Sequence, residues 1–440
     1  MLPEPFKERM KVLLKEDYSK FIKSFDKKNE KAIRVNTTKI SVNDFKKISP
    51  FNIEAIPYTK DGFYINDSGI GNHPYHFAGL FYVQDPGAMM TFNACHLEDD
   101  YIVLDLCASP GGKSGQIGSF LKNGILVSNE INTSRAKTLF SNIERLGLTN
   151  TVVLNNDSYT LSKKFKETFD TIFIDAPCSG EGMFRKNDEA IKTWSNKKIE
   201  ECANIQKELL KNANTMLKPG GTIVYSTCTY SLEENELQIT NFLKDYDYEV
   251  LEINKEIKPY ISKGYVDETI NPELVKAARF YPHISKGEGQ FVCVLKKKGE
   301  LKKTNLLFNK NNVIDKYISN DVDIKLNVEV YDNKFYEKLP IDLSGLRIIS
   351  SGVKLGELVN NRFVYHHNFV TAYGNCFKNK VNLSCEDSRI DKYLQGYEIE
   401  VEDTPNGYGV ILVDNYPLGL FKASNNKLKN HYPKGLRRRN

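Results

Sequence analysis

The sequence has 440 residues, of which 40% are hydrophobic and 27% charged, and its mean hydropathy is −0.45; this is the composition of a globular chain of roughly two to four domains. No apolar run reaches the roughly 18 residues of a membrane span, and the N-terminus lacks the apolar stretch of a secretory signal. Eight cysteines without paired or zinc-type spacing indicate free thiols in a reducing, cytoplasmic compartment, whereas the net charge of +5 excludes no class of partner.

Residues 1–80 are rich in Lys, Phe and Tyr and predict a small mixed α/β unit. Between about residues 81 and 298, short apolar runs alternate with amphipathic segments. The predicted strands are Tyr101–Leu106, Ile125–Asn129, Val152–Asn155, Thr171–Asp175, Thr222–Ser226 and Gln290–Lys296. The predicted helices are Ser114–Leu121, Thr133–Leu146, Ile199–Leu217 and Glu233–Tyr246. This alternation predicts a mostly parallel sheet covered by helices on both faces.

Residues 299–380 are predicted to be an intermediate domain or a linker, and residues 381–440 a further domain. Turn signals at Asn406-Gly407 and Asp414-Asn415 flank two apolar runs, which predicts a small β-barrel or sheet. The C-terminal tail, residues 422–440, has no acidic residue and seven cations: Lys422, Lys427, Lys429, Lys434, Arg437, Arg438 and Arg439. Such a stretch is either a solvated terminus or a contact for phosphate groups.

A glycine-rich loop follows the first predicted strand of the central region, in the segment LDLCASPGGKS (residues 104–114). In open α/β sheets, ligands bind at the carboxyl ends of strands, where glycines allow close approach of the backbone. The ending GGKS resembles a phosphate-binding P-loop, but that motif needs a glycine five residues before Gly112, where this chain has Cys107. A P-loop NTPase is therefore disfavoured.

Two acidic residues end the next strands. Glu130 follows the glycine-rich loop by about twenty residues, the spacing of a carboxylate that accepts hydrogen bonds from a ribose. Asp157 ends the third strand, where it could hold an adenine edge. Either acid alone is more typical of a surface residue or a helix cap. Three successive strand ends that are glycine-rich or acidic indicate a cofactor that contains adenosine.

Two cysteines follow the fourth and fifth strands, Cys178 in DAPCSGEG and Cys228 in YSTCTYS. A lone cysteine is more often a buried apolar residue than a nucleophile, but two at neighbouring strand ends, one of them three residues after Asp175, favour catalysis. Cytosine carbon-5 reacts with a methyl sulfonium only after a thiolate adds to carbon-6. The reaction also needs a carboxyl group beside N3 and a group that assists release of the thiol.

These motifs resemble the Sun family of RNA cytosine carbon-5 methyltransferases, and in particular its RsmF-type bacterial ribosomal RNA enzymes. The resemblance covers nearly the whole chain, and its most specific feature is the Pro-Cys pair on one strand end beside Thr-Cys on the next. The other similar segments are residues 33–39 (IRVNTTK), 82–90 (YVQDPGAMM), 278–292 (ARFYPHISKGEGQFV) and 428–437 (LKNHYPKGLR).

The resemblance implies an α/β, Rossmann-like, seven-stranded class I methyltransferase domain that uses S-adenosylmethionine. It further implies a ferredoxin-like RNA-binding extension before this domain and a PUA-like, RNA-binding β-barrel after it. Arg279 and residues 287–290 are expected to shape the cytosine pocket. Asp157 is expected to contact the adenine and Glu130 the ribose. The remaining cofactor contacts are expected at Cys107, Ala108, Ser109, Pro110, Gly111, Gly112, Lys113 and Asp175.

The family also implies the catalytic roles: Cys228 attacks carbon-6, Cys178 assists release, Asp175 lies between cofactor and base, and Lys113 helps to set the charge of Asp175. The expected substrate is 16S ribosomal RNA, or the small ribosomal subunit, acted on by a monomer without a metal. Three alternatives stay open at this stage: a transfer RNA substrate, a non-catalytic RNA-binding protein in ribosome assembly, and a methyltransferase acting on DNA or on an exocyclic amine.

Overall fold

The computed structural model describes residues 2–311 and 313–438, which form four β-sheets. Arg439, the last cation of the basic tail, lies outside these ranges. In the described part of the chain, no helix is both long and apolar enough to cross a membrane.

The N-terminal unit is a four-stranded antiparallel sheet with the strand order β2-β3-β1-β4. Its elements are α1 (Glu4–Leu14), α2 (Tyr18–Ser24), β1 (Lys31–Val35), α3 (Val42–Ile48), β2 (Ile53–Ala55), β3 (Gly62–Ile65), α4 (Pro74–Phe77) and β4 (Phe81–Val83). From β1 to β4 the succession is βαββαβ, which is the ferredoxin-like arrangement. Because β4 pairs with β1, the unit extends past the predicted boundary at residue 80.

The central domain contains the largest sheet. Its elements are α5 (Pro86–Asn93), β5 (Ile102–Asp105), α6 (Gly112–Phe120), β6 (Ile125–Asn129), α7 (Thr133–Leu146), β7 (Thr151–Leu154), α8 (Ser158–Lys164), β8 (Phe169–Asp175), α9 (Asp188–Thr193), α10 (Asn196–Met216), β9 (Leu217–Thr227), α11 (Glu236–Asp245), β10 (Tyr248–Val250), β11 (Ser262–Lys263), β12 (Ala278–Phe280) and β13 (Gln290–Lys297). Strands β7, β6, β5, β8 and β9 run parallel in this order, and β13 lies antiparallel beside β9.

Alternate side chains of each strand pack on opposite faces of this sheet, as the pleat requires. Ile172 and Ile174 of β8 belong to the core with α8, α10 and α11, whereas Phe173 between them packs with α5 and α6. The predicted parallel sheet covered on both faces is therefore confirmed. The sheet exceeds the expected seven strands because β11 and β12 extend it beyond β13, and a strand from the next domain extends it beyond β7.

Residues 299–380 form a folded domain after an irregular segment, and only that segment resembles a linker. The elements are α12 (Asp315–Ile318), β14 (Val328–Tyr331), β15 (Lys334–Glu337), β16 (Ile348–Ser351), β17 (Lys354–Val359), β18 (Arg362–Tyr365) and α13 (His367–Tyr373). Four of these strands form the sheet β14-β15-β17-β18. The fifth, β16, instead pairs antiparallel with β7 of the central sheet and joins the two domains.

The C-terminal domain has the sheet order β19-β21-β22-β23-β20. Its elements are β19 (Lys380–Leu383), α14 (Ser388–Gln395), β20 (Ile399–Glu400), β21 (Gly407–Val413), β22 (Tyr416–Ser424) and β23 (Lys427–Asn430). The end strands β19 and β20 each pair with one neighbour only, so the described sheet is a curled half-barrel and not a closed barrel.

This domain shares buried cores with two others. Phe421 and Tyr393 belong to one cluster with Phe81 of the N-terminal unit, and Leu412 belongs to another with residues 314–377. The Tyr75 hydroxyl also donates to Asp414 Oδ2 at 2.8 Å.

Candidate active site

Two cavities meet at the carboxyl ends of the parallel strands. The first, here called the loop cavity, lies between residues 105–113 and residues 82–88. The second, the cysteine groove, extends from Glu130 and Asp157 to Cys178 and Cys228 along helix α10. The two are continuous because Cys107, Ser109 and Asp175 line both.

The N-terminal unit holds the glycine-rich loop in place. Arg34 of β1 is 1% exposed, and its Nη1 donates to the carbonyl of Gly112 and to Gln84 Oε1, each at 2.6 Å. Gly111 adopts the left-handed conformation with φ +111° at the start of α6, which favours glycine. A Cβ atom at Gly112 would lie 3.3 Å from the Tyr82 ring, so the close approach of β4 also favours glycine there.

Two buried polar atoms beside the loop cavity, Asp105 Oδ1 and Gln84 Nε2, have no hydrogen-bond partner among the described residues. The other oxygen of Asp105 accepts a hydrogen bond from Ser114 Oγ at 2.6 Å. Burial raises the pKa of Asp105 to about 7. An unpaired acceptor and an unpaired donor in one cavity suit a ligand that carries both an amino and a carboxylate group. The sequence motifs did not single out either residue.

The far end of the cysteine groove combines acidic and apolar side chains. Glu130 is 3% exposed, accepts a hydrogen bond from the Asn132 amide at 2.9 Å and lies 3.4 Å from Arg135 Nη2. Asp157 is exposed and caps α8 through the Thr160 amide, which lowers the pKa of its carboxyl group. Ile205, which is 49% exposed, provides an apolar wall that the sequence motifs did not reveal.

The two cysteines come together as their strand ends predict, with Cys178 Sγ 3.3 Å from Cys228 Sγ. The hydrogen bond to Cys228, together with burial, raises the pKa of the Cys178 thiol well above its usual value. A thiol whose pKa is raised in this way stays protonated and can serve as a hydrogen-bond donor. Burial also raises the pKa of Cys107, so this third thiol is a poor nucleophile.

An ion pair lies beside the cysteines. Lys113 Nζ is 2.7 Å from Asp175 Oδ2, and Ser226 Oγ donates to Asp175 Oδ1 at 3.0 Å. Lys113 is 9% exposed, whereas the side chain of Asp175 is 36% exposed, so only the lysine end of the pair is buried. Among the residues predicted to bind the cofactor or to act in catalysis, only Gly111 lines neither cavity, because it forms the buried turn below the loop. No group of three or more His, Cys, Asp or Glu residues within 2–311 and 313–438 could hold a metal ion.

Arg279 and residues 287–290, which were expected to shape the base pocket, line neither of these two cavities. Arg279 is 2% exposed and pairs with Glu236. Its Nη1 donates to the carbonyl of Tyr230 at 2.9 Å and so supports the Cys228 loop from behind. Glu288, also 2% exposed, donates its amide to Asp85 Oδ1 at 3.3 Å.

A further buried acid, which the sequence motifs did not reveal, supports the two cysteine loops. Glu181 accepts hydrogen bonds from Trp194 Nε1 and from the Tyr230 amide, each at 3.0 Å. Trp194 packs against Phe6 of α1 and the ring of Phe184. Its partner is an acid 13 residues away, a pairing that no local pattern indicates.

Three family models match this chain. Residues 93–296 match the 16S rRNA methyltransferase RsmB/F, residues 2–86 the N-terminal domain of 16S rRNA methyltransferase RsmF, and residues 379–438 the methyltransferase RsmF PUA domain. The chain is 32% identical to ribosomal RNA small subunit methyltransferase F of Vibrio parahaemolyticus, over 99% of this chain and 97% of that protein. It is 33% identical to the protein of the same name from Shewanella oneidensis, over 94% of this chain and 92% of that protein.

Solved structures of two proteins from Pyrococcus horikoshii share the fold. A methyltransferase homolog has a TM-score of 0.59 and 28% identity, covering 67% of this chain and 95% of its own. NSun6, solved with SFG, has a TM-score of 0.55 and 24% identity, and the match covers 68% of this chain and 99% of the NSun6 chain. The second similarity concerns the fold alone.

Proposed function

Because this chain belongs to the RsmF family of 16S rRNA methyltransferases, we propose that it methylates carbon-5 of a cytosine in 16S ribosomal RNA with S-adenosylmethionine. The observation that carries this proposal is the 3.3 Å separation of Cys178 Sγ and Cys228 Sγ beside the Lys113–Asp175 ion pair. Methylation of an exocyclic amine needs no thiol, whereas carbon-5 methylation needs one to activate the ring.

The residues of both cavities fit the cofactor. The unpaired Asp105 Oδ1 and Gln84 Nε2 suit the amino and carboxylate groups of its methionine end. Glu130, Asp157 and Ile205 line the same cavity, in which Glu130 would accept hydrogen bonds from the ribose, while Asp157 and Ile205 would contact the adenine. Asp157 can accept further hydrogen bonds although it caps α8, because a carboxylate has about four acceptor sites. When bound, the cofactor supplies an electrophilic methyl group.

The side chains of the cysteine groove then act on the cytosine ring. The Cys228 thiolate adds to carbon-6, and the Lys113–Asp175 pair passes a proton towards N3 as the ring gains electron density. After methyl transfer the carbon-5 proton leaves to a base, and its electron pair restores the ring double bond as the bond between carbon-6 and Cys228 breaks. N3 then returns its proton to the Lys113–Asp175 pair. Cys178 assists this release because its S–H can stabilise the departing thiolate at 3.3 Å.

Single cysteine variants test this mechanism. Cys228→Ala should abolish both methylation and any covalent adduct with RNA. Cys178→Ala should accumulate the adduct, because Cys228 can still attack carbon-6 while the release of Cys228 is slowed. Cys376→Ala is the matched control, since this half-buried thiol lies outside both cavities. Methylation and adduct are measured by radiolabel transfer and by denaturing gels. Full activity of Cys228→Ala would remove the covalent step.

Bisulfite sequencing of RNA from cells with and without the gene tests the substrate. We expect one or a few cytosines of 16S ribosomal RNA to lose their protection when the gene is absent. A change confined to transfer RNA would keep the chemistry and correct the substrate. No change in either RNA would favour a non-catalytic role in ribosome assembly.

A further inference from the structure

The loop that carries Cys178 is held by a carboxylate that lies outside both cavities. Glu234 is 0% exposed and accepts hydrogen bonds from the Ser179 amide at 2.9 Å, Ser179 Oγ at 2.5 Å and Gln206 Nε2 at 3.0 Å. Gln206 Nε2 also donates to the carbonyl of Pro177 at 2.9 Å. Glu234 therefore fixes the residues on both sides of Cys178.

The same carboxylate connects the two cysteine loops. Ser179 Oγ lies 2.8 Å from Thr229 Oγ1, one residue after Cys228. The Gly182 amide donates to the carbonyl of Cys228 at 2.9 Å. The position of one sulfur relative to the other thus depends on this buried network.

We propose that Glu234 is a positioning residue for the release step, holding Cys178 Sγ where it can assist the departure of Cys228. This inference rests on the proposed function. A cysteine side chain has one rotatable bond to its sulfur, so the backbone on both sides determines where the sulfur lies. A displacement of about 1 Å in such a group can slow a reaction by about a hundredfold.

The hydrogen bonds of Glu234 do not require its charge. Burial raises the pKa of Glu234 to about 7. When protonated, the carboxyl group can donate to Ser179 Oγ, whose own hydrogen then turns towards Thr229 Oγ1. A glutamine at this position can make the same set of bonds, whereas an alanine leaves the Ser179 amide and Gln206 without an acceptor. The pair Glu234→Gln and Glu234→Ala therefore separates position from charge.

The experiment measures release of the RNA adduct in single turnovers at a temperature where every variant is folded. Glu234→Ala should slow release by about tenfold to a hundredfold and accumulate adduct, while Glu234→Gln should resemble the wild type. In a Cys178→Ala background, Glu234→Ala should add no further slowing, since the sulfur that it positions is gone. Glu233→Ala is the neighbouring control, because Glu233 pairs with Arg9 and not with the Cys178 loop.

Two results would overturn the inference: normal release in Glu234→Ala, or additive slowing in the Glu234→Ala/Cys178→Ala double variant. If Glu234→Ala does not fold, Ser179→Ala replaces it, since it removes only the hydroxyl bonds and should accumulate adduct to a smaller extent. Failure of the proposed function is recognised separately, because the wild type would then form no adduct and Cys178→Ala alone would accumulate none.

Discussion

Replacing Arg279 by methionine tests whether the buried pair behind β9 supports the Cys228 loop or contacts the base. Arg279 Nε donates to Glu236 Oε1 at 2.6 Å, and Arg279 Nη2 donates to the second oxygen of the same carboxylate. The side chains of Arg279 and Glu236 are 2% and 0% exposed. Arg279 Nη1 also donates to the carbonyl of Tyr230 at 2.9 Å, two residues beyond Cys228, and to the Tyr281 hydroxyl at 3.3 Å.

Arg279→Met leaves the Glu236 carboxylate buried without its cation, which costs about 3–5 kcal/mol of folding free energy. The lost bond to the Tyr230 carbonyl adds about 1 kcal/mol, whereas methionine fills much of the vacated volume. Replacing both partners, as in Arg279→Met/Glu236→Leu, should recover most of this loss because no charge is then buried unpaired. The Tyr265 amide, which donates to Glu236 Oε1 at 2.9 Å, would still lose its acceptor.

Urea denaturation monitored by tryptophan fluorescence measures this loss directly, because Trp194 is the single tryptophan and lies beside the cysteine loops. Arg389→Met is the control, since its pair with Asp387 is half-exposed and should contribute less than about 1 kcal/mol. Cofactor affinity at low temperature should stay unchanged in Arg279→Met. Wild-type stability combined with lost methylation would refute this reasoning and restore Arg279 to the base pocket.

Further perturbations address the ion pair, the C-terminal domain and the two sulfurs. Lys113→Met should slow methyl transfer in single turnovers by about a hundredfold, because Asp175 loses both the neighbouring positive charge and the group that supplies its proton. An unchanged rate would exclude this role. Truncation after Asn379 should lower the melting temperature and cofactor binding together, because it opens two shared cores; loss of RNA affinity alone would instead indicate a separate module. Hydrogen peroxide should oxidise Cys178 and Cys228 to a disulfide, and a thiol reductant should reverse this and restore methylation. A peptide map of the oxidised protein that lacks the Cys178–Cys228 disulfide would contradict this prediction.

Local patterns were sufficient to predict much of the central domain. The helix predicted at Thr133–Leu146 has these bounds in the structure, because an Asn132 cap and Gly147 define its ends in the sequence. The strand ends also predicted which residues meet. Since parallel strands place their carboxyl ends on one edge of a sheet, Cys178 and Cys228 had to be neighbours once β8 and β9 were adjacent.

The sequence by itself determined the order of strands and helices, the glycine-rich loop and the location of Cys178 and Cys228 directly after two strands, because these depend on spacing within one segment. Only the tertiary structure decided what holds them. Glu234 meets Ser179 across 55 residues and Arg279 meets Glu236 across 43, while β16 joins β7 from another domain. Buried polar groups and edge strands take whichever partner the packed chain brings near, and a local pattern does not specify that partner.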